Sequence, residues 1–263
     1  MLDEFFVALA PLTELGFEKT AVSIGVFARI SALAFFLPGL GERSVPMRIR
    51  LAAALGIALI LTPFVNGLGP VAPTNISSLT LVIAAESVAG AIIGFSIRIA
   101  VYAIQIAGSM AAQTLSLSQL FAGIDDTPEP PIGAVLTLAA ITLAVSAGLH
   151  FQAVKALAAS YSVMPFGQFP GASDTGAWAV DRVAFAFSTA FTLALPFVVL
   201  GFVYNLAIGA ANRAMPQLLV AFVGAPAITL GGFALLALAA PVILTTWMDL
   251  VDGLIETLIG GAL

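Results

Sequence analysis

The sequence predicts an all-α, polytopic membrane protein of long helical segments, and three observations carry that expectation. Of its 263 residues, 60% are hydrophobic and only 9% charged, whereas about a quarter of a soluble domain is charged. So few charges cannot cover a water-facing surface. The apolar residues also gather into six segments, at roughly 21–38, 51–65, 79–113, 132–164, 183–211 and 218–248. Finally, the links between them read "PGLGERSVPMRIR", "NGLGPVAPTN", "SQLFAGIDDTPEPP", "PFGQFPGASD" and "NRAMPQ". Each joins Pro or Gly to polar residues, the chemistry that interrupts helices.

The same composition excludes several functions. A formal charge of −5 without a basic patch gives no footprint for nucleic acid. With no cysteine, disulfides, thiolate metal sites and cysteine catalysis fall away. The start, "MLDEFFVALAPLTELGFEKT", is acidic where a cleaved signal needs a basic beginning. G-x-S-x-G, HExxH and Walker patterns are missing. No catalytic centre, metal or cofactor is expected.

Taken in order, the segments fit a simple spanning scheme badly. A hydrocarbon core of about 30 Å needs about 20 helical residues. Segment 51–65 offers about 15 and segment 79–113 about 35, the latter roughly 50 Å of helix. If each segment crosses once, the loop holding Arg43, Arg48 and Arg50 and the one holding Arg213 fall on the same side. The positive-inside rule makes that side cytoplasmic.

Ionisable residues inside apolar segments are costly and turn towards protein or water. Here they are Arg29, Glu86, Arg98 and Lys155, with His150 nearby. In the third segment Glu86, Gly90, Gly94, Arg98, Tyr102, Gln105, Ser109 and Gln113 recur every three or four positions, which keeps them on one drifting helix face. Gly90 and Gly94 form a GxxxG, the pattern that lets helices approach closely. Two readings are open: Glu86, Arg98, Gln105 and Gln113 line a polar path or subunit interface, or they pack within the bundle. A direct Glu86–Arg98 pair is not expected, since twelve residues separate them by about 18 Å of helix. His150 has no carboxylate within a turn and is expected to be structural. Pro196, Pro226 and Pro241 promote kinks in the last two segments.

Three blocks in order resemble the FliR/SctT family of type III secretion export-gate proteins. They are "RISALAFFLPGLGERSVPMRIRLAAALGIALILTP", "SAGLHFQAVKALAASYSVMPFG" and "LALPFVVLGFVYNLAIGAANRAMPQLLVAFVGAPAITLGG". The resemblance implies an export-gate architecture of inclined helical hairpins, much of it raised above the bilayer plane. It implies a FliP-like part at 1–182, with a plug loop at 114–131, and a FliQ-like hairpin and tail at 183–263. FliP-like and FliQ-like subunits, FlhB-like and FlhA-like export proteins, unfolded protein substrates and membrane lipid are the implied partners. The implied location is the bacterial inner membrane, in a flagellar basal body or an injectisome base, and the NRAMPQL block leans to the flagellum. Residues 205–217 would be the hairpin turn, with Arg213 at its cytoplasmic tip or, equally, an anchor at a membrane boundary. In the plug, Leu120, Phe121 and Ile124 would make the seal, while Asp125 and Asp126 fit equally a turn in a solvated loop. The competing expectation is a self-contained secondary transporter using the intramembrane ionisable residues.

Overall fold

The computed structural model describes residues 2–68, 73–114, 131–214 and 220–260, which form seven helices and no strand. They are α1 (Leu2–Phe36), α2 (Met47–Gly67), α3 (Ile76–Thr114), α4 (Pro131–Ser146), α5 (Leu149–Val163), α6 (Ala172–Ala214) and α7 (Val220–Ile259). Five of them contain stretches long and apolar enough to cross a membrane, and α4 with α5 would make a sixth if counted as one bent span. Helices α3, α6 and α7 have 39, 43 and 40 residues. At 1.5 Å per residue each runs about 60 Å, twice the hydrocarbon core.

Three boundaries differ from the sequence reading, each for a local reason. The short segment 51–65 is part of a 21-residue helix, because Pro46 starts α2 before Arg48 and Arg50 and the charged turn is helical although not apolar. Segment 132–164 is two helices, Pro131–Ser146 and Leu149–Val163, separated by a break at Ala147 and Gly148. At the break Gly148 takes φ 85°, a left-handed conformation that glycine adopts without a Cβ clash. Residues 205–214, expected in a turn, continue α6 to Ala214. The Ala-rich stretch propagates the helix, and the rest of the expected turn, 215–217, lies outside the described residues.

The described residues divide into two compact units. The first holds those up to Arg98, Gly148–Val180 and those from Gly253; the second holds Ile99–Ala147 and Asp181–Asp252. In the first unit α1 buries Val22, Val26, Ile30 and Leu33 at helical spacing, and α2 packs against it and touches α5. Ala54, Ala58, Leu61 and Val65 form the buried stripe of α2, while Leu55, Leu59, Ile60 and Phe64 on its other side are exposed. Asn75 and Ser78 cap α3 reciprocally: the Ser78 amide donates to Asn75 Oδ1 at 2.8 Å, and the Asn75 amide to Ser78 Oγ at 3.2 Å.

In the second unit small residues bring backbones together, the packing mode available where lipid is as apolar as leucine. Gly108 of α3 faces Gly133 of α4, and Gly201 of α6 lies against Thr114. Trp247 of α7 is buried and donates from Nε1 to the Ala100 carbonyl of α3 at 2.7 Å. Trp247→Phe keeps most of the packing and loses that bond, so a fall in stability of about 1 kcal/mol is expected. Thermal or denaturant unfolding in detergent checks it.

Candidate functional site

The chain places its strongest charges where they are completely enclosed. Arg29 of α1 and Glu86 of α3 both have no exposed surface. Arg29 Nη2 donates to Glu86 Oε1 at 2.9 Å, and Nε lies 2.8 Å from Oε2, a close charge contact that is not aligned as a second hydrogen bond. Two further acceptors meet the guanidinium. Nη1 donates to Ser160 Oγ at 3.1 Å and Nη2 also to the Met164 carbonyl at 3.0 Å. The guanidinium carbon sits 3.9 Å above the Tyr161 ring, within cation–π range.

Glu86 is held from two further directions. The Gly167 amide donates to Oε1 at 2.8 Å, and the Tyr161 hydroxyl to Oε2 at 3.4 Å. Gly167 stands at φ 75° in a turn closed by the Gln168 amide on the Pro165 carbonyl at 3.2 Å. The Pro–x–Gly turn quoted from the sequence therefore delivers a backbone donor to the carboxylate. One ion pair thus fastens α1, α3, α5 and the link between α5 and α6.

Gly90, one turn after Glu86, makes the approach of α1 possible. A Cβ there would overlap the Arg29 carbonyl, and a Cβ on Gly94 would lie 2.9 Å from both the Leu33 carbonyl oxygen and Phe36 Cβ. The polar face of α3 is thus shut at its N-terminal end. Further along, Arg98 pairs with Glu42 of the α1–α2 link, whose carbonyl also accepts from Arg50. Beyond it Tyr102 and Gln113 are exposed and Gln105 half-buried. On this face Glu86 is enclosed, Arg98 is ion-paired, and Tyr102 and Gln113 reach the surface.

Other residues singled out are not brought together. Arg43, Arg48 and Arg213 are exposed, Arg213 in the last turn of α6, where a cation complements the helix dipole. His150 is exposed with its ring centroid 4.1 Å from that of Phe151, and Lys155 is exposed too. Leu120, Phe121 and Ile124 lie outside the described residues. No cluster of His, Asp or Glu able to hold a metal occurs among the described residues. Sequence reasoning missed Ser160, Tyr161, Met164 and Glu42. The pairing of Arg29 with Glu86 could have been suspected only because each is an isolated charge in an apolar run.

The second unit carries an apolar outer surface. Helix α6 exposes Phe187, Phe191, Leu195, Val199, Phe202 and Leu206, recurring every three or four residues along one face. Helix α7 exposes Leu230, Phe233, Leu238 and Val242.

Enclosed charges, membrane-length helices and apolar outer faces define an integral membrane protein with no assembled reaction centre among the described residues. The chain belongs to the family of bacterial export proteins, family 1, whose model matches residues 21–254. It is similar to proteins named flagellar biosynthetic protein FliR. That of Caulobacter vibrioides is 34% identical over 227 residues, covering 85% of this chain and 90% of the relative. The Escherichia coli protein is 29% identical over 224 residues, with 82% of each chain covered. The Bacillus subtilis protein is 27% identical over 238 residues, covering 89% of this chain and 91% of the relative.

Proposed function

We propose that the chain is a non-enzymatic subunit of the flagellar type III export gate. It completes a channel made with FliP-like and FliQ-like subunits, in the bacterial inner membrane at the flagellar basal body. The observation that carries this reading is family membership across residues 21–254, with FliR proteins as relatives over most of their length. The geometry supports it. At about 60 Å, α6 outruns a bilayer core of about 30 Å, which leaves about half of the helix outside it for contacts with neighbouring subunits.

In this reading residues 1–182 are the FliP-like part and 183–263 the FliQ-like hairpin, with Arg213 near its cytoplasmic tip. Unfolded export substrates pass through the channel, FlhB-like and FlhA-like proteins adjoin it, and energy comes from elsewhere. A self-contained transporter is the weaker reading. Of its expected ionisable groups, Arg29 and Glu86 consume each other's charge, and Arg98 is paired with Glu42.

Co-expression with FliP and FliQ from the same genome, followed by native mass measurement, tests the proposal. A discrete complex of all three supports it; a stable chain that ignores both partners, and moves a small solute alone, rejects it. The plug at 114–131 is tested separately. Deleting residues 119–127 is expected to make membranes carrying the assembled complex leak ions or small molecules. Unchanged permeability, with the complex formed in normal amount, removes the plug from the proposal.

A further inference from the structure

The link between α1 and α2 carries a surplus of positive charge on a folded frame. Glu42 is the only acidic residue between Glu18 and Glu86, and Arg43, Arg48 and Arg50 follow it closely. Arg98 of α3 reaches the same carboxylate. Four guanidiniums in and beside the link thus share one countercharge, a surplus of three.

Backbone bonds hold the frame. The Gly41 amide donates to the Leu37 carbonyl at 2.7 Å, the Val45 amide to the Glu42 carbonyl at 3.0 Å, and the Ile49 amide to the Pro46 carbonyl at 3.0 Å. Arg50 and Arg98 are spent in it, on the Glu42 carbonyl and carboxylate. Arg43 and Arg48 are not. Both are exposed, and neither has an ion pair or side-chain hydrogen bond among the described residues. The surface beside them is apolar: Phe35 in the last turn of α1 is exposed, as are Met47, Ile49, Leu51 and Leu55 of α2. Both helices contain stretches of membrane-crossing length.

We propose that the α1–α2 link binds the headgroup of an anionic phospholipid, whose acyl chains lie along α2. Apolar surface ending in unpaired cations matches a molecule whose apolar chains end in an anion. The phosphate accepts charge-assisted hydrogen bonds from Arg43 and Arg48, and the chains cover Met47, Ile49, Leu51 and Leu55. An acidic peptide supplies the charge alone, whereas the lipid supplies the charge and the cover for α2 together. A zwitterionic headgroup sets its own ammonium against the two arginines, so it binds less well. The site lies within this chain and does not rest on the export-gate reading, only on α1 and α2 lying in a membrane.

Native mass spectrometry of the full chain in detergent at low ionic strength tests it. Phosphatidylglycerol and phosphatidylethanolamine with identical acyl chains are titrated separately. The expected result is about tenfold preference for phosphatidylglycerol, the scale of two exposed charge contacts. Arg43→Gln and Arg48→Gln each lower the preference about threefold, and the double variant abolishes it. Arg213→Gln, which removes an exposed charge from the end of α6, leaves it intact. Equal retention of the two lipids by the wild type, or a preference that survives the double substitution, overturns the proposal. A loss as large in Arg213→Gln also overturns it, because the preference then reports total charge rather than this link. If the preference survives while the double variant no longer co-purifies with neighbouring subunits, the arginines belong to a protein interface instead. Inorganic phosphate that displaces the lipid at equal concentration overturns the lipid assignment in favour of a soluble anion.

Discussion

Glu86→Gln is expected to cost about 3–5 kcal/mol, enough to empty the membrane of folded protein, because it strands a cation that has no exposed surface. The guanidinium does not give up its proton in a protein, so the charge persists after its partner is gone. The introduced amide keeps an acceptor for Arg29 Nη2 or for the Gly167 amide but not the countercharge. Replacing both members by apolar residues, Arg29→Met with Glu86→Leu, removes the charge altogether. Such replacements are often neutral or stabilising when the volume is kept. Here the Met164 carbonyl and Gly167 amide lose their partners, so recovery is expected to be large but incomplete. Unfolding in mixed micelles, run as a double-mutant cycle, measures all three variants. A loss below about 1 kcal/mol for Glu86→Gln, the range of a surface pair, would show that the cluster is not closed as described.

The second large effect belongs to Gly90→Ala. One methyl group there meets the Arg29 carbonyl, a backbone atom that can yield only if α1 moves away from α3. Overpacking of this kind costs about 1–3 kcal/mol or more. It also pulls Arg29 from Glu86, since the same residue supplies both the carbonyl and the guanidinium. The two substitutions are therefore expected to be less than additive. Gly56 of α2 is the matched control: a Cβ there meets nothing within 4 Å, so Gly56→Ala is expected to be neutral or to gain up to about 1 kcal/mol from helix propensity and reduced unfolded-state entropy. Equal yields and melting temperatures for Gly90→Ala and Gly56→Ala would defeat the close-contact account.

The apolar segments and the glycine–proline punctuation made the helices legible, since both signals are local. The partners were not. Arg29 meets Glu86 across 57 positions and Ser160 across 131, and Arg98 meets Glu42 across 56. Helical periodicity shows which side of α3 is polar but not which helix faces it. Twelve residues of helix keep Glu86 and Arg98 apart, but their partners, Arg29 and Glu42, lie on other segments. The break at Gly148 was hidden for a different reason: Ala147 and Leu149 carry the apolar run across it, and one glycine does not by itself distinguish a break from a tolerated residue. Residues 205–214 show the reverse, since their polar Asn205, Asn212 and Arg213 suggested a turn while an alanine-rich backbone kept the helix.

The enclosed ion pair also imposes an order on biogenesis. Arg29 lies near the middle of the Glu18–Phe36 stretch, where an uncompensated arginine costs about 3 kcal/mol on insertion scales. Its countercharge is synthesised 57 residues later, a delay of about 3–11 s at ribosomal rates of about 5–20 residues per second. Until α3 emerges, Arg29 has no countercharge to offset that cost. The seating of α1 is thus finished by the arrival of α3, and the topology of the chain's beginning is decided after that beginning has left the ribosome.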